Sequence, residues 1–189
     1  MLTYIQPIYV FILALILAIL EVQTEGAHGW AKNLPTWRAN PDKWYAKIYM
    51  KIMEGKEMTG YHLSLFSMIF LLFHFPFASG VSWSIANEIG IIIAFLFFII
   101  VEDYLWFVVN PHFTVKNFKG NHLFWHRKWF LLVPRDYWTA ILTSFLLALV
   151  KNAYYCPGYV YDWLIMFAIM LGLTLLTKFL IKIFKPEWE

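Results

Sequence analysis

The chain has 189 residues, of which 61% are hydrophobic, 21% aromatic and only 14% charged, with a mean hydropathy of +0.60. That balance excludes an ordinary water-soluble domain, where roughly a quarter of the residues are charged. The formal charge of +3 is small and reads as membrane-insertion bias rather than nucleic-acid binding, and the single cysteine, Cys156, excludes an internal disulfide or a multi-cysteine zinc site.

Five apolar stretches have the roughly 20 residues needed to cross a hydrocarbon layer about 30 Å thick. They are Thr3–Val22, Tyr61–Ser79, Ile85–Val109, Tyr137–Tyr155 and Tyr159–Leu180. The expected fold is therefore an all-α integral membrane protein, a five-helix transmembrane bundle forming one domain over residues 1–189. The first stretch lacks a basic leader and a small-residue cleavage site, and Glu21 interrupts its apolar run, so it is expected to be a retained span. Glu21 and Glu25 stand at i and i+4, on one helix face. Gly26 and Gly29 are expected to end the helix around His28.

The segment from Gln23 to Gly60 contains helix signals of its own. Asn40 suits the N-cap, Pro41 the first helical position and Gly55 the C-terminal cap, which predicts a helix over about 41–54. Trp44, Tyr45, Ile48, Tyr49, Ile52 and Met53 share one face, and Lys43, Lys47 and Lys51 another. This is the pattern of an interfacial helix, apolar side down and lysines toward lipid headgroups. Docking in a partner protein's groove is the alternative.

The second span opens with His62 and carries His74 in Phe73-His74-Phe75-Pro76. A histidine there is expected to be hydrogen-bonded, with a carbonyl freed by Pro76 as one available partner. Glu88 begins the third span; facing His74, it would form the outer half of a proton path. Toward the other end of that span lie Glu102 and Asp103. A carboxylate at mid-membrane costs about 2.5–3.5 kcal/mol, less near the interface, so the pair requires a base, a proton, a lysine or a metal.

Residues 110–136 are rich in histidine and aromatic rings: His112, His122, Trp125, His126 and Trp129 stand out. His122 and His126 are again i and i+4, on an expected short helix that Asn121 would cap and Pro134 would end. Short turns join spans two to three and four to five, the latter through Cys156-Pro157-Gly158, which predicts two helical hairpins.

Charge sets the expected orientation. Fourteen of the fifteen Lys and Arg, and five of the six His, fall on one side if the chain crosses five times with its N-terminus outside and C-terminus cytoplasmic. Only Lys151 and His74 fall elsewhere. The same threading brings Glu21, Glu25, His28, His62, Glu102, Asp103, His112, His122 and His126 to one membrane depth.

These are ligand types for iron, zinc or manganese. The leading expectation is a divalent-metal membrane enzyme acting on a lipid, quinone or other hydrophobic molecule. Glu21, Glu25, His62, Glu102, His122 and His126 would be ligands, Asp103 and His28 acid–base groups, and Trp125, Trp129 and His112 would line access from the bilayer. Named scaffolds do not match: six histidines with one HxxxH are too few for the desaturase boxes, only Glu25–His28 resembles a Glu-x-x-His pair, and HExxH, a phosphate-binding glycine loop and G-x-S-x-G are absent. The second expectation is proton-coupled transport or binding by the same carboxylates. The third is a structural subunit of a larger membrane complex. The bland reading pairs the acids with Lys32, Arg38, Arg127 or Lys128. A bacterial or archaeal cytoplasmic membrane, membrane lipid as partner and no nucleic acid complete the expectations, with the choice between monomer and oligomer left open.

Overall fold

The computed structural model describes residues 2–119, 123, 126 and 128–186. Its helices are α1 (Leu2–Glu25), α2 (Trp44–Ile52), α3 (Gly60–Ala78), α4 (Ile85–Val109), α5 (Arg135–Tyr154) and α6 (Tyr159–Phe184). A two-residue antiparallel ladder, β1 (Trp129–Phe130) with β2 (Val133–Pro134), precedes α5. Four helices, α1, α3, α4 and α6, are long and apolar enough to cross a membrane. The sequence predicted five. The fifth, α5, has the length of a span, but Arg135, Asp136, Lys151 and Asn152 occupy its end turns and leave it less apolar than the others.

Helix α4 is the hub. Nearly unbroken in its hydrophobicity, it buries a broad face that includes Ile93, Phe97, Phe98 and Val101, and every residue from Leu105 to Val109. Helix α1 packs along it through a stripe at helical spacing, Val10, Ala14, Leu17, Ala18 and Glu21. The fully buried alanines let the two backbones approach closely. Helices α5 and α6 pack on α4 and on each other, with Trp163 wedged beside Phe97 and Phe145. Helix α3 lies lightly against the bundle: only His62, Leu65 and Ile69 are buried, while Leu63, Phe70, Leu71 and Phe75 are exposed.

Local chemistry sets the ends. Thr59 Oγ1 caps α3 by accepting from the His62 amide, and Ser84 Oγ caps α4 by accepting from Asn87. Gly158 takes φ +94° in the α5–α6 turn, and its amide donates to Asn152 Oδ1. At the same end the Lys151 ammonium lies over the Tyr159 ring, 3.9 Å from its centroid.

Three local expectations change. Helix α2 starts at Trp44 rather than Pro41, because Asn40 Oδ1 accepts from the Asp42 amide and closes a turn first. Its end is as expected, with Gly55 at φ +94° and its amide donating to Met50 O. The described residues around His126 form no helix. The chain instead enters the β1–β2 hairpin, and Pro134 becomes the N-cap of α5 instead of a helix stop. Leu131 (φ +46°) and Leu132 (φ +70°) form the hairpin tip in a left-handed conformation that costs a non-glycine residue about 1–2 kcal/mol. Finally, His74 Nδ1 bonds Phe70 O on its own helix at 2.7 Å, not the Leu72 carbonyl that Pro76 leaves without its usual amide.

Candidate functional site: a carboxylate cavity at one end of the bundle

The C-terminal ends of α1 and α4 meet the N-terminal ends of α3 and α5. Asn110, just past α4, ties the first two together: its Nδ2 donates to Gly26 O at 2.8 Å, and its Oδ1 accepts from the amides of His112 and Phe113. This end is called inner below.

Here α1 places Glu21 and Glu25 on successive turns, and α4 places Glu102 opposite them. All three are buried, with 8%, 8% and 6% of their surface exposed. They border a cavity of about 40 Å³, together with His62, Asp103 and Trp106. Glu21 and Glu102 face each other carboxyl to carboxyl. Glu102 Oε1 has no hydrogen-bond partner among the described residues. Burying such groups without a proton or cation is costly.

Glu25 is held by the chain that follows it. Gly29, Trp30 and Ala31 are all left-handed (φ +51°, +48° and +49°), which curls the backbone so that the Ala31 amide donates to Glu25 Oε1 at 2.5 Å. The same carboxylate oxygen is 3.4 Å from His62 Nε2. His62 Nδ1 bonds Thr59 Oγ1 at 2.8 Å, and its ring stacks on Trp30 with centroids 4.0 Å apart. Strained non-glycine backbone of this kind persists where the surroundings over-determine it, often at working sites.

A chain of ionisable groups runs from the cavity to the surface. Asp103 Oδ2 accepts from the Tyr137 hydroxyl and is 3.0 Å from His126 Nε2. His126 Nδ1 is 3.1 Å from Asp136 Oδ2, and the Asp136 side chain is 42% exposed. Lys56 adds a cation 3.8 Å from Asp136, its ammonium above the Trp30 ring. Burial by itself disfavours the His126 imidazolium. The Asp103 charge and the hydrogen bonds to both aspartates outweigh burial and push His126 up to about 9.

Of the residues singled out from the sequence, Glu21, Glu25, His62, Glu102 and Asp103 come together around the cavity, and His126 joins through Asp103. His28 and His112 are exposed and stand outside it. Trp129 packs on Phe118 and donates its indole N–H to His126 O. His122 and Trp125 lie outside the described residues. Trp30, Thr59, Lys56, Asp136 and Tyr137 were missed as site residues. Their polar atoms look like ordinary interfacial or capping groups in sequence; the return of the 26–62 segment onto α1 brings in Trp30, Lys56 and Thr59, and the packing of α5 on α4 brings Asp136 and Tyr137 to His126 and Asp103.

Both ring nitrogens of His62 and of His126 are already engaged, so neither offers a lone pair to a cation without breaking a bond. Among the described residues, no group of three or more His, Cys, Asp or Glu is arranged to hold a metal ion.

At the opposite end, His74 Nε2 meets Glu88 Oε1 at 3.0 Å, and the Trp83 indole donates to Glu88 Oε2 at 3.0 Å. The sequence raised this pairing only as a condition, and here the two side chains do face each other. Fourteen residues of α4 separate Glu88 from Glu102, about 21 Å along the axis. In that interval Phe73 packs edge to face on Phe95 and Phe98, which stack on each other.

No protein-family model matches the chain, and no curated protein or solved structure matches it.

Proposed function

We propose that this chain is a membrane-spanning proton-binding protein that works in proton-coupled transport or binding, with Glu102 as the central proton site. The observation that carries the reading is the cavity itself. It brings three buried carboxyl groups together, one with an unpartnered oxygen, in about 40 Å³. A water takes some 10–15 Å³ of such space, so the cavity suits a few waters or a small cation and is far too small for a quinone or lipid headgroup. Carboxyls that face each other in a low-dielectric space exchange protons as their natural chemistry. Asp103, His126 and Asp136 supply consecutive hydrogen-bonded steps between that space and the inner surface. The His74–Glu88 pair would serve as the outer proton acceptor, with the phenylalanine layer closing the route between the two in this conformation.

In this reading the chain crosses the membrane five times, N-terminus outside and C-terminus inside. Helix α5 supports this: it has the length of a span, packs on α4 and α6, and exposes Leu142, Leu146, Leu149 and Val150 as a lipid-facing surface. The inner end then coincides with the side rich in lysine and arginine, the cytoplasmic side.

The test is proton movement in proteoliposomes carrying a pH-sensitive dye, with infrared spectroscopy of the carboxyl band on the same samples. Wild-type protein is expected to give gradient-dependent proton flux and a titrating carboxyl band, and Glu102→Gln to lose both. Glu88→Gln should lose the flux and keep the band. Protein with no titrating buried carboxyl and stoichiometric iron, zinc or manganese removed by Glu102→Gln would sink this reading in favour of the metal-enzyme one.

A further inference from the structure

A second concave site lies at the inner end, away from the carboxylate cavity. It is a groove of about 430 Å³ between the end of α2 and the start of α5, lined by Met50, Lys51, Ile52, Glu54, Lys128 and Arg135. Three cations face one carboxylate. Glu54, itself left-handed at φ +53°, accepts from Arg135 Nη2 and lies 3.8 Å from Lys128 Nζ. It fixes those two cations in one wall and leaves the groove positively charged. The side chains of Lys128 and Arg135 remain more than half exposed, so an incoming anion reaches them without opening the fold.

The apolar residues beside the groove indicate what carries that anion. The Arg135 amide donates to Lys128 O at 2.8 Å and closes the base of the β1–β2 hairpin. The cationic pair is therefore the base of a hairpin whose far end is Phe130, Leu131 and Leu132, exposed by 58%, 67% and 90%. Two leucines in left-handed backbone at an exposed tip are a poor solution in water and a good one in a bilayer. From base to tip the hairpin spans two to three residues, roughly 7–10 Å. That matches the depth of about 5–10 Å to which interfacial elements sink. On the other wall, Ile48 and Ile52 of α2 are exposed alongside Lys47 and Lys51.

We propose that this groove is a binding site for the phosphate headgroup of an anionic phospholipid, held by Lys51, Lys128 and Arg135 with its acyl chains beside Leu131, Leu132 and Ile52. A soluble phosphate would use the same cations, but the leucine tip would contribute nothing to it. The site is independent of the proton reading: it shares no residue with the carboxylate cavity.

The experiment uses full-length detergent-purified protein titrated with dioleoylphosphatidylglycerol or dioleoylphosphatidylcholine, bound lipid being counted by native mass spectrometry and the thermal midpoint followed in parallel. The anionic lipid is expected to be retained and to raise the midpoint, and the zwitterionic lipid to do neither. Lys51→Gln, which breaks no ion pair among the described residues, should weaken retention about tenfold, and Leu132→Ser about threefold. Glu54→Gln should leave retention equal or tighter, since it removes the one negative charge. Equal retention of both lipids, or unchanged retention in Lys51→Gln with Lys128→Gln, overturns the proposal. So does displacement of the lipid by millimolar inorganic phosphate with Leu132→Ser silent, which would make this a site for free phosphate.

Discussion

His126 shows how a single side chain acquires a role from its neighbours. Alone in a loop it would be an ordinary imidazole, yet here each nitrogen faces an aspartate, Asp103 of α4 on one side and Asp136 of α5 on the other. Because the folded protein holds its proton to about pH 9 against an ordinary value of 6.5, the ion cluster contributes fully below about pH 6.5. The contribution is lost as pH rises through 9, and amounts to on the order of 3 kcal/mol. Thermal midpoints measured from pH 6 to 10 are expected to fall across that window in wild type and to stay nearly flat in His126→Asn. A parallel fall in the variant would mean that another group carries the dependence. Thr59 is the second case, since one hydroxyl both caps α3 and orients His62. Thr59→Ala should cost about 1–2 kcal/mol, Thr59→Ser little, and denaturant midpoints of the two variants will show whether the hydroxyl is the cause.

Helix α3 is the element whose attachment differs most from the others. Helices α1, α5 and α6 pack along α4 over much of their length, whereas α3 contributes Leu65 and Ile69 and is otherwise fastened near its ends. The inner fastening is Thr59, His62 and Glu25, with the Tyr61 hydroxyl 3.0 Å from Thr24 Oγ1; the outer is His74 with Glu88. A helix held this way moves when its end contacts change, and His62 and Phe66 on it line the carboxylate cavity. Hydrogen exchange read by mass spectrometry should therefore show faster exchange in the outer half of α3 in His74→Ala, with α4 and α6 unchanged. Uniform loss of protection through the bundle would instead mean that the dyad supports the whole fold. Helix α2 makes the complementary point: its ends follow turn chemistry at Asn40 and Gly55, while its outward apolar side chains, Trp44 and Ile52, need a surface outside the protein.

For the molecule as a whole, the alternating directions of α1, α3, α4, α5 and α6 set the start of α1 and the end of α6 at opposite ends of the bundle. The one native thiol is well placed to test this arrangement in a membrane. Cys156 is exposed in the α5–α6 turn, at the end away from the carboxylate cavity. Five crossings with the N-terminus outside predict that a membrane-impermeant maleimide labels Cys156 in intact cells. The exposed position 47, as Lys47→Cys in a Cys156→Ser background, should react only after permeabilisation. The opposite pattern would invert the orientation, and labelling of both sites from outside would remove the fifth crossing.

Hydropathy was enough to place α1, α3, α4 and α6, because a span is a property of composition over 19 to 26 consecutive residues and needs no partner. Composition was also enough to gather Glu21, Glu25, His62, Glu102 and Asp103 at one end, since alternating crossings fix depth along the normal. It could not say which of those residues meet. Depth is a one-dimensional coordinate, while a cavity depends on helix rotation and on where a loop returns. His28 and His112 share the depth of the site and stay outside it, whereas Trp30 and Thr59 enter because three left-handed residues curl the chain back onto Glu25. The described residues around His126 are not helical for the same kind of reason: a spacing of four fits a helix face equally well as a loop, and His126 itself is held by contacts with Asp103 and Asp136. The chain's own sequence thus determined a membrane bundle with an acidic, histidine-rich end. Tertiary structure alone decided that the acids close around a space of a few waters, because side-chain convergence is set by packing across elements distant in sequence.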